Sequence, residues 1–476
     1  MAQKSPIKKN KRDRARTTNS AAWLKQLAVR AACGIVVLYG MLVGWRAFSF
    51  KYAPAPPALT REQEAELAAL LDAAYPERDE ILSPLSYQTT PPHRTISARA
   101  AIVVDTASGA VLYEKNADDV IPPASMTKLA VMYVVFAEIA AGRIALDDVV
   151  PLPPESWASH MPPHSSLMFL GKNQRVTLDE LLTGLAVSSG NDAAAAIAAY
   201  VSGGMPAFIT RMNSEMAALG LTRTHFVDAS GYSEKNTTTA RDMAAFARIY
   251  ILRYPEALTR YHARLSFTYP AEHNLAPEDR GKPRAQDWSQ GLSDSITMGI
   301  HQENTNKLLG VLDGCDGLKT GYIDESGYNL ALTATRNGTR FLSVTLGGPG
   351  KTVQEGNEHR MRDGTALMEW AFAHFADCKK TDRLHPYLVR VTGAQQTHVH
   401  VVPAFTPGAV TVPFIAENSP AAAAAAVRVE IVLPDYIPGG TRIGQAYGAV
   451  QYYLKETLLL SVPLVADKTV RRAFPL

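Results

Sequence analysis

The sequence predicts an α+β domain followed by a small all-β domain. Apolar runs with helical spacing occur at residues 129–141 and 193–199, and strand-like segments occur at 101–113 and 328–346. This mixture is typical of an α+β architecture. Further along, residues 427–433 alternate between apolar and polar side chains, as a half-buried strand does. A chain of 476 residues has room for two domains and their extensions.

The N-terminal region combines a basic tail with an apolar segment. The first 30 residues contain nine Lys or Arg against one Asp, and an apolar run follows them. Basic residues beside an apolar segment keep that side in the cytoplasm. We therefore assign residues 1–26 to a cytoplasmic tail and residues 27–50 to a transmembrane signal-anchor or a signal peptide. A nucleic-acid-binding arm is the alternative for the tail, and the adjoining apolar run disfavours it.

An uncleaved anchor is favoured over a cleaved signal peptide. The small-residue pattern at 53–55 resembles a signal-peptide cleavage site. Cleavage there would leave Pro56 directly after the cleaved bond, which is an unfavourable arrangement. Residues 51–94 form the expected linker. In it, the proline-rich stretch 54–57 precedes an acidic helix at about 60–74, and the two together predict a stalk.

The first of three short motifs is Ser125-Met-Thr-Lys128. The apolar run 129–141 predicts a buried helix, which the prolines at 122–123 prevent from starting earlier. Ser125 and Lys128 then share one face at the helix N-terminus, where the dipole favours negative charge. Lys128 is the nearest base for the Ser125 hydroxyl, provided that burial and a neighbouring cation such as Lys319 lower its pKa.

The second motif, Ser189-Gly190-Asn191, lies between two helical runs. Thr177 and Glu180 form a capping-box pattern that opens the first helix, and residues 193–199 continue the second. Ser189 can relay a proton to a leaving group, and Asn191 can hydrogen-bond a substrate amide carbonyl. Taken alone, the tripeptide also fits an ordinary pair of helix caps.

The third motif, Lys319-Thr320-Gly321, opens a predicted strand. The runs 328–335 and 341–346 follow it, joined by Asn337-Gly338, a strong hairpin signal. Such a strand can line a cleft, with Lys319 and Thr320 facing a substrate carboxylate and Gly321 allowing a ligand to approach closely. The oxyanion hole is then expected from backbone N–H groups of Ser125 and of this strand.

Together, and in this order, the three motifs resemble the active site of penicillin-recognising serine enzymes. The chain resembles the D-alanyl-D-alanine carboxypeptidases, the low-molecular-mass penicillin-binding proteins. The further segments that carry this resemblance are Ala101 to Tyr113, Pro123 to Lys128, Ser166 to Leu170, Thr224 to Phe226, Ala240 to Met243, Asn304 to Asn306, and Arg360 with Trp370. The resemblance implies a transpeptidase-like (β-lactamase-like) catalytic domain over residues 95–380 and a C-terminal β-domain over residues 382–476. It also implies that Arg360 lies near the substrate's terminal carboxylate.

Two features depart from the family pattern. The stretch from about Glu272 to Ile300 is longer and more polar than expected, which predicts a surface insertion near the cleft. Position 322, where the family frequently has His, is Tyr. Many relatives also end in an amphipathic membrane-binding helix. Residues 471–476 are too short for one, so the N-terminal segment is expected to replace it.

The resemblance implies a serine-type carboxypeptidase that removes the terminal D-alanine from peptidoglycan stem pentapeptides through an acyl-enzyme. Its partners would be these peptides, β-lactam antibiotics as inhibitors, and the cytoplasmic membrane, with the catalytic part facing the periplasm or cell wall and influencing cell shape. A D,D-endopeptidase uses the same machinery and stays open as an alternative. A β-lactamase would need a Glu in an E-x-x-L-N setting, which we do not find, and a binding protein without activity would be expected to lose Ser125 or Lys128.

The three cysteines carry little information. Cys33 lies in the apolar segment, and the sequence leaves open whether Cys315 and Cys378 pair. Neither has His or Cys neighbours at a spacing that suits a metal ion. No cofactor, metal ion or nucleic-acid partner is therefore expected.

Overall fold

The computed structural model describes residues 12–52, 58–74, 82–281, 291–394, 396–413 and 419–473. Several predictions lie outside this part of the chain. They concern most of the basic tail (1–11), the proline-rich stretch (54–57), the middle of the expected insertion (282–290) and the last residues (474–476).

A long helix, α1 (Arg12–Tyr52), carries the apolar segment that was expected near the N-terminus. Its stretch Ala22–Trp45 is 24 residues long, contains an 18-residue window with a mean hydropathy of 2.0 and is exposed throughout. This length and composition suit a membrane span, although a signal sequence has the same properties. The apolar stretch overlaps most of the predicted segment 27–50.

A six-stranded sheet forms the centre of the α+β part. In spatial order, its strands are β1 (Ser83–Pro84), β3 (Ala110–Lys115), β2 (Ala100–Asp105), β10 (Thr339–Gly348), β9 (Gly327–Arg336) and β8 (Cys315–Ile323). Asn337 and Gly338 turn the predicted β9–β10 hairpin with positive φ angles of 51° and 81°. Strand β8 is the last strand on its side, so its outer edge can line a cleft.

Helices cover both faces of this sheet. On β2, Ala101 and Val103 pack in the cluster with α8 (Val353–His374), whereas Ile102 and Val104 pack in a larger cluster on the opposite face. This alternation follows from the two-residue period of a strand. The helices of the opposite face are α3 (Lys128–Ala140), α4 (Leu178–Val187), α5 (Asn191–Ser202), α6 (Met205–Ala218) and α7 (Ala240–Arg253). The capping box predicted at the start of α4 is present.

The C-terminal region is built on a second six-stranded sheet, in agreement with the expected all-β domain. In spatial order, its strands are β15 (Val427–Val432), β17 (Ala446–Leu454), β18 (Thr457–Ala466), β13 (His398–Pro403), β12 (Tyr387–Thr392) and β16 (Tyr436–Pro438). The elements beside it are the strand pair β11 (Phe375–Cys378) and β14 (Val410–Pro413) and the short helix α9 (Pro420–Ala425).

The acidic helix predicted in the linker is present as α2 (Arg61–Ala74). It packs against the C-terminal region instead of standing free as a stalk. Leu67 and Leu71 form one stripe of this helix and are buried against Ala404 and Val465. Burial of this apolar stripe explains the difference from the predicted stalk.

The expected insertion is the segment of chain between β6 (Ser266–Tyr269) and β7 (Ile300–Glu303), two strands that pair in an antiparallel way. In its described part, the Asp294 carbonyl accepts a hydrogen bond from the Lys172 N–H at 2.6 Å. The Asp294 carboxylate accepts another from the Ser159 hydroxyl at 2.6 Å. The insertion therefore packs on the long loop between β4 (Val149–Val150) and β5 (Val176–Thr177), which leads into α4.

Cys315 and Cys378 are both free thiols. Cys315 lies in β8, where its thiol donates to the Gly317 carbonyl at 3.7 Å. Cys378 lies in β11, where its thiol donates to the Ala424 carbonyl at 3.6 Å. The structure therefore does not contain the disulfide that the sequence left open.

Candidate active site

Ser125 lies in a tight turn just before a helix, not in the helix itself. Residues Ala124–Thr127 form a 3₁₀ turn, and α3 begins at Lys128. Ala124 has a φ of 51°, a conformation that residues with side chains rarely adopt. A methyl group on Gly231 would lie 1.8 Å from the Ala124 carbonyl oxygen, so a neighbouring loop packs directly against this turn. Ser125 thus lies at the N-terminal end of α3, as expected, in a 3₁₀ turn that leads directly into the helix and that the surrounding backbone holds in place.

Lys128 is fully buried and has three hydrogen-bond partners. Its Nζ lies 3.0 Å from Ser125 Oγ, 2.8 Å from Asn191 Oδ1 and 2.5 Å from the Ser230 carbonyl oxygen. A neutral amine has two N–H groups and one lone pair. Because the two carbonyl oxygens can only accept hydrogen bonds, they take the two N–H groups. The lone pair is then left for the hydroxyl of Ser125.

Burial lowers the pKa of Lys128 from its ordinary value of 10.5 to about 7, against the opposing effect of the Asp228 and Asp192 charges. The sequence analysis gave part of this effect to the charge of Lys319. In the structure burial is the largest cause, and the repulsion between the two lysines contributes to lowering the pKa of Lys319. A lysine with a pKa near 7 can serve as a base at neutral pH.

The second motif lies between α4 and α5. Ser189 has a positive φ of 61° and turns the chain sharply, and Asn191 is the first residue of α5. The hydrogen bond from Lys128 to the Asn191 side chain joins this motif to the first. The Ser189 hydroxyl oxygen is buried and has no hydrogen-bond partner among the described residues, so it can bond to an incoming group.

Asp192, which the sequence analysis did not single out, fixes the loop beside this motif. Its buried carboxylate accepts hydrogen bonds from three consecutive backbone N–H groups at 2.8–3.1 Å, those of Met168, Phe169 and Leu170. A methyl group on Gly190 would come within 3.0 Å of the Met168 nitrogen. An acidic residue in the first turn of a predicted helix was the available signal, because such residues often accept backbone N–H groups.

The third motif lies in the edge strand β8, against the serine turn. A methyl group on Gly321 would lie 2.6 Å from the Pro123 carbonyl oxygen and 3.2 Å from the Ser125 nitrogen, so a side chain would prevent this approach. Lys319 is buried beside it, and the Thr320 hydroxyl donates to the Thr305 hydroxyl at 2.7 Å. The structure thus brings all three motifs together around Ser125.

Two cations near the third motif have no carboxylate partner within the described ranges. Lys319 Nζ donates to the Thr320 carbonyl at 3.0 Å, and Arg360 donates to the Thr305 carbonyl at 3.4 Å. Burial lowers the pKa of both groups, that of Arg360 to about 10, and the charges of Lys128 and Arg360 lower that of Lys319 further. Cations withdrawn from water without a counterion are costly. A carboxylate ligand placed between them would offset that cost.

The loop after Phe226 supplies site residues that the sequence analysis missed. The Asp228 carboxylate accepts hydrogen bonds from the N–H groups of Ser230 at 2.7 Å, Gly231 at 2.6 Å and Ser233 at 2.8 Å. This turn directs the Ser230 carbonyl to Lys128. The signal was the sequence Asp-Ala-Ser-Gly, since Asp hydrogen-bonds nearby backbone N–H groups and Gly adopts a positive φ, here 78°.

His262 is a further residue that was not predicted from the sequence. It is fully buried between α7 and β8. Its Nδ1 donates to the Leu318 carbonyl at 3.1 Å, and its Nε2 accepts from the Tyr250 hydroxyl at 2.9 Å, because a carbonyl oxygen can only accept. Burial lowers the pKa of His262 to about 4, and the charge of Lys319 acts in the same direction. The neutral imidazole ties the strand that carries Lys319 to α7.

Chemically, the arrangement offers a serine hydroxyl beside a buried amine whose pKa is near 7, and this pair could carry out acyl transfer. Lys319 and Arg360, two cations without a described carboxylate partner, could bind an anion. In the part of the chain that the structure describes, no group of three or more His, Cys, Asp or Glu side chains could hold a metal ion.

Comparison with known proteins agrees with this chemistry. A family model described as D-alanyl-D-alanine carboxypeptidase matches residues 86–350. D-alanyl-D-alanine carboxypeptidase DacC of Escherichia coli (strain K12) is 34% identical over 285 residues, which are 59% of this chain and 62% of that protein. A D-alanyl-D-alanine endopeptidase of Pseudomonas aeruginosa is 31% identical over 281 residues, which are 59% of this chain and 79% of that protein. The chain thus spans about 62% of the length of the carboxypeptidase relative.

One solved structure is similar to this chain over a longer range than the residues that the family model matches. Penicillin binding protein 5 from Haemophilus influenzae superposes with a TM-score of 0.64 at 28% identity, covering 81% of this chain and 100% of that one. The likeness supports the α+β fold together with the all-β region that follows it.

Proposed function

The chain belongs to the D-alanyl-D-alanine carboxypeptidase family, and from this premise we propose that it is a serine-type carboxypeptidase of the cell wall. Its substrate would be the peptidoglycan stem pentapeptide, from which it removes the terminal D-alanine. Penicillins would acylate the same serine, a proposal that the likeness to a penicillin-binding protein supports.

The observation that carries this proposal is the hydrogen-bond pattern of Lys128. Asn191 Oδ1 and the Ser230 carbonyl oxygen occupy its two N–H groups when the amine is neutral, which turns its lone pair to Ser125 Oγ at 3.0 Å. A serine hydroxyl becomes an effective nucleophile only when a base takes its proton. In this mechanism Ser125 attacks the carbonyl of the penultimate D-alanine while its proton moves to Lys128.

The neighbouring groups would complete the reaction. Backbone N–H groups of Ser125 and of β8 stabilise the oxyanion of the tetrahedral intermediate. The Ser189 hydroxyl passes a proton to the leaving D-alanine nitrogen, and Asn191 keeps its NH₂ group for the substrate amide carbonyl. Water then attacks the acyl-enzyme and gives its proton to the base, which releases the shortened peptide.

Lys319, Thr320 and Arg360 would bind the terminal carboxylate of the substrate. An arriving anion favours the charged form of each cation and so reverses the effect of burial on its pKa. A charge-assisted hydrogen bond of this kind contributes roughly 1.5–3 kcal/mol. The terminal D-alanine of a pentapeptide presents such a free carboxylate next to the scissile bond.

Purified muropeptides provide the direct test. The full-length protein in detergent is expected to convert pentapeptide monomers to tetrapeptides with release of D-alanine, as measured by mass spectrometry, and to leave cross-linked dimers largely intact. The Ser125→Ala variant is the matched control and should release nothing. Intact pentapeptides after prolonged incubation with wild-type protein would contradict the proposal.

A D,D-endopeptidase is the second candidate. The 31% identity with an endopeptidase, over 79% of that relative, favours keeping it. Both reactions need the same nucleophile and base, so the same muropeptide experiment separates them. Cleavage of cross-linked dimers into monomers, without shortening of pentapeptides, would select this candidate.

The pH dependence follows from the pKa of Lys128, which burial lowers to about 7. The base must be neutral to accept a proton, so the second-order rate of penicillin acylation is expected to rise with pH through about 7 and then level off. Below that pKa the rate should fall by about tenfold for each pH unit. Stopped-flow or quench measurements from pH 5 to 9 check this, and a rate that does not change between pH 5 and 8 would exclude Lys128 as the base.

The location is a further part of the proposal. Helix α1 would anchor the protein in the cytoplasmic membrane, with residues 95–380 as the catalytic domain and residues 382–476 as the β-domain, both outside. A protein that lacks residues 1–50 is expected to leave the membrane fraction and still react with penicillin, because the three motifs lie further along the chain. N-terminal sequencing of the native protein tests the anchor itself, since a mature chain that starts near residue 55 would mean a cleaved signal peptide.

A further inference from the structure

Arg360 lies over an aromatic ring. Its guanidinium carbon lies 5.8 Å from the centre of the Tyr328 ring. No described carboxylate pairs with it, and its hydrogen bond to the Thr305 carbonyl is long, at 3.4 Å. A partly buried cation with such a weak partner needs another source of stabilisation, and the face of an aromatic ring attracts a cation.

The ring of Tyr328 is itself tightly confined. Tyr328 is 3% exposed and lies in β9, across from the helix that carries Arg360. A methyl group on Gly356, one turn before Arg360 in α8, would lie 2.1 Å from two carbons of the ring. The ring of Tyr322 packs against the same ring, with the centroids 4.3 Å apart and the planes tilted by 32°. The ring therefore has little freedom to move away from Arg360.

An aromatic partner differs from a carboxylate in one respect that matters here. A carboxylate would neutralise Arg360 and occupy its N–H groups, and it would compete with the carboxylate of a substrate. The π face of a ring stabilises the positive charge and leaves those N–H groups available. Tyr328 therefore suits a cation that must remain able to bind an anion.

We propose that Tyr328 is a positioning residue, which holds the guanidinium of Arg360 ready for the substrate carboxylate without neutralising it. The inference rests on the proposed function, in which Arg360 binds that carboxylate. It assigns to Tyr328 a role in discriminating between peptides with a free and a blocked terminal carboxylate.

The test compares two peptides that end in D-Ala-D-Ala, one with a free carboxylate and one with a terminal amide. The measured quantity is the ratio of kcat/KM for the free peptide to that for the amide. In the full-length protein, Tyr328→Leu is expected to lower this ratio by about 3- to 30-fold, the range of a cation–π contact. Tyr328→Phe, which keeps the ring, should retain most of it. Combining Tyr328→Leu with Arg360→Ala should lower the ratio no further than Arg360→Ala alone, because both act on one interaction.

Two further variants separate positioning from general damage. The guanidinium carbon of Arg336 lies 4.5 Å from the centre of the Phe372 ring in α8. Phe372→Leu removes this other cation–π contact and should leave the ratio unchanged. Gly356→Ala places a methyl group 2.1 Å from carbons of the Tyr328 ring, so it should displace the ring and lower the ratio even if Tyr328→Leu fails to fold. Equal losses on both peptides, or additive losses in the double variant, would overturn the inference. A wild-type protein that reacts with penicillin but releases no D-alanine would instead contradict the proposed function, and acylation rates would then replace the peptide ratio.

Discussion

Labelled penicillin is expected to modify wild-type protein at Ser125, and the Ser125→Ala variant is expected to show no label at all. The lactam amide can replace the peptide bond that Ser125 attacks, and removal of the hydroxyl leaves no atom to form the ester. Peptide mapping of the labelled protein by mass spectrometry measures the position directly. A label on any other serine would make the assignment of the nucleophile wrong.

The same penicillin acylation experiment also tests Lys128 as the base. Lys128→Ala keeps the nucleophile but removes the proton acceptor, so acylation is expected to slow by about 10²- to 10⁴-fold. Because Lys128 is buried among Ser125, Asn191 and the Ser230 carbonyl, the variant also leaves hydrogen-bond groups without a partner. Thermal unfolding of the same sample shows whether the loss in rate accompanies a loss of structure. An acylation rate within tenfold of wild type would contradict a role as the base.

Gly231→Ala is expected to have the next largest effect, although Gly231 forms no hydrogen bond to the nucleophile. Its added methyl group would lie 1.8 Å from the Ala124 carbonyl oxygen and 2.8 Å from the Ser125 nitrogen, and both atoms belong to the backbone. The serine turn must therefore move. A displacement of about 1 Å at a reacting group can lower a rate by about 10²-fold, and we expect at least that loss in penicillin acylation.

Gly220→Ala is the matched control for this prediction. Gly220 also has a positive φ, of 73°, but no atom lies within 4 Å of a methyl group placed there. The control therefore has the same backbone strain, roughly 1–2 kcal/mol, without the steric contact. Equal acylation rates for the two variants would show that contact with the serine turn is unimportant.

Local sequence patterns correctly predicted several secondary-structure elements of this protein. The helix after Lys128, the capping box of Thr177 and Glu180, and the Asn337-Gly338 hairpin are all present. Each depends on residues that are close in the sequence, so short-range spacing is sufficient to predict it. Agreement was weaker in the linker. Its helix was expected, but its packing on a region more than 300 residues away involves contacts that periodicity does not specify.

In the candidate site, too, some residues could be predicted from the sequence and others could not. Ser125, Lys128 and the Lys319-Thr320-Gly321 strand could be predicted as one candidate site because a serine acyl transfer would use those residue types. The Ser230 carbonyl that binds Lys128 was not, since any residue has a carbonyl and only the fold determines its direction. The tight turn at Ala124 was missed for a related reason, because alanine rarely adopts a positive φ and its packing against the Gly231 loop is a contact between residues distant in sequence.

The contacts of α2 also determine how a mechanical load would enter the protein. A pull on α1 reaches α2 first, where Leu67 and Leu71 are buried against the C-terminal sheet. Further along the chain, β1 joins the sheet that carries β8, and only then does the Ser86 hydroxyl donate to the Leu459 carbonyl of the C-terminal sheet at 2.6 Å. Tension applied to α1 would therefore pass through α2 into the all-β region before it reached the sheet that carries β8. The hydrogen bonds of Lys128 lie off that path.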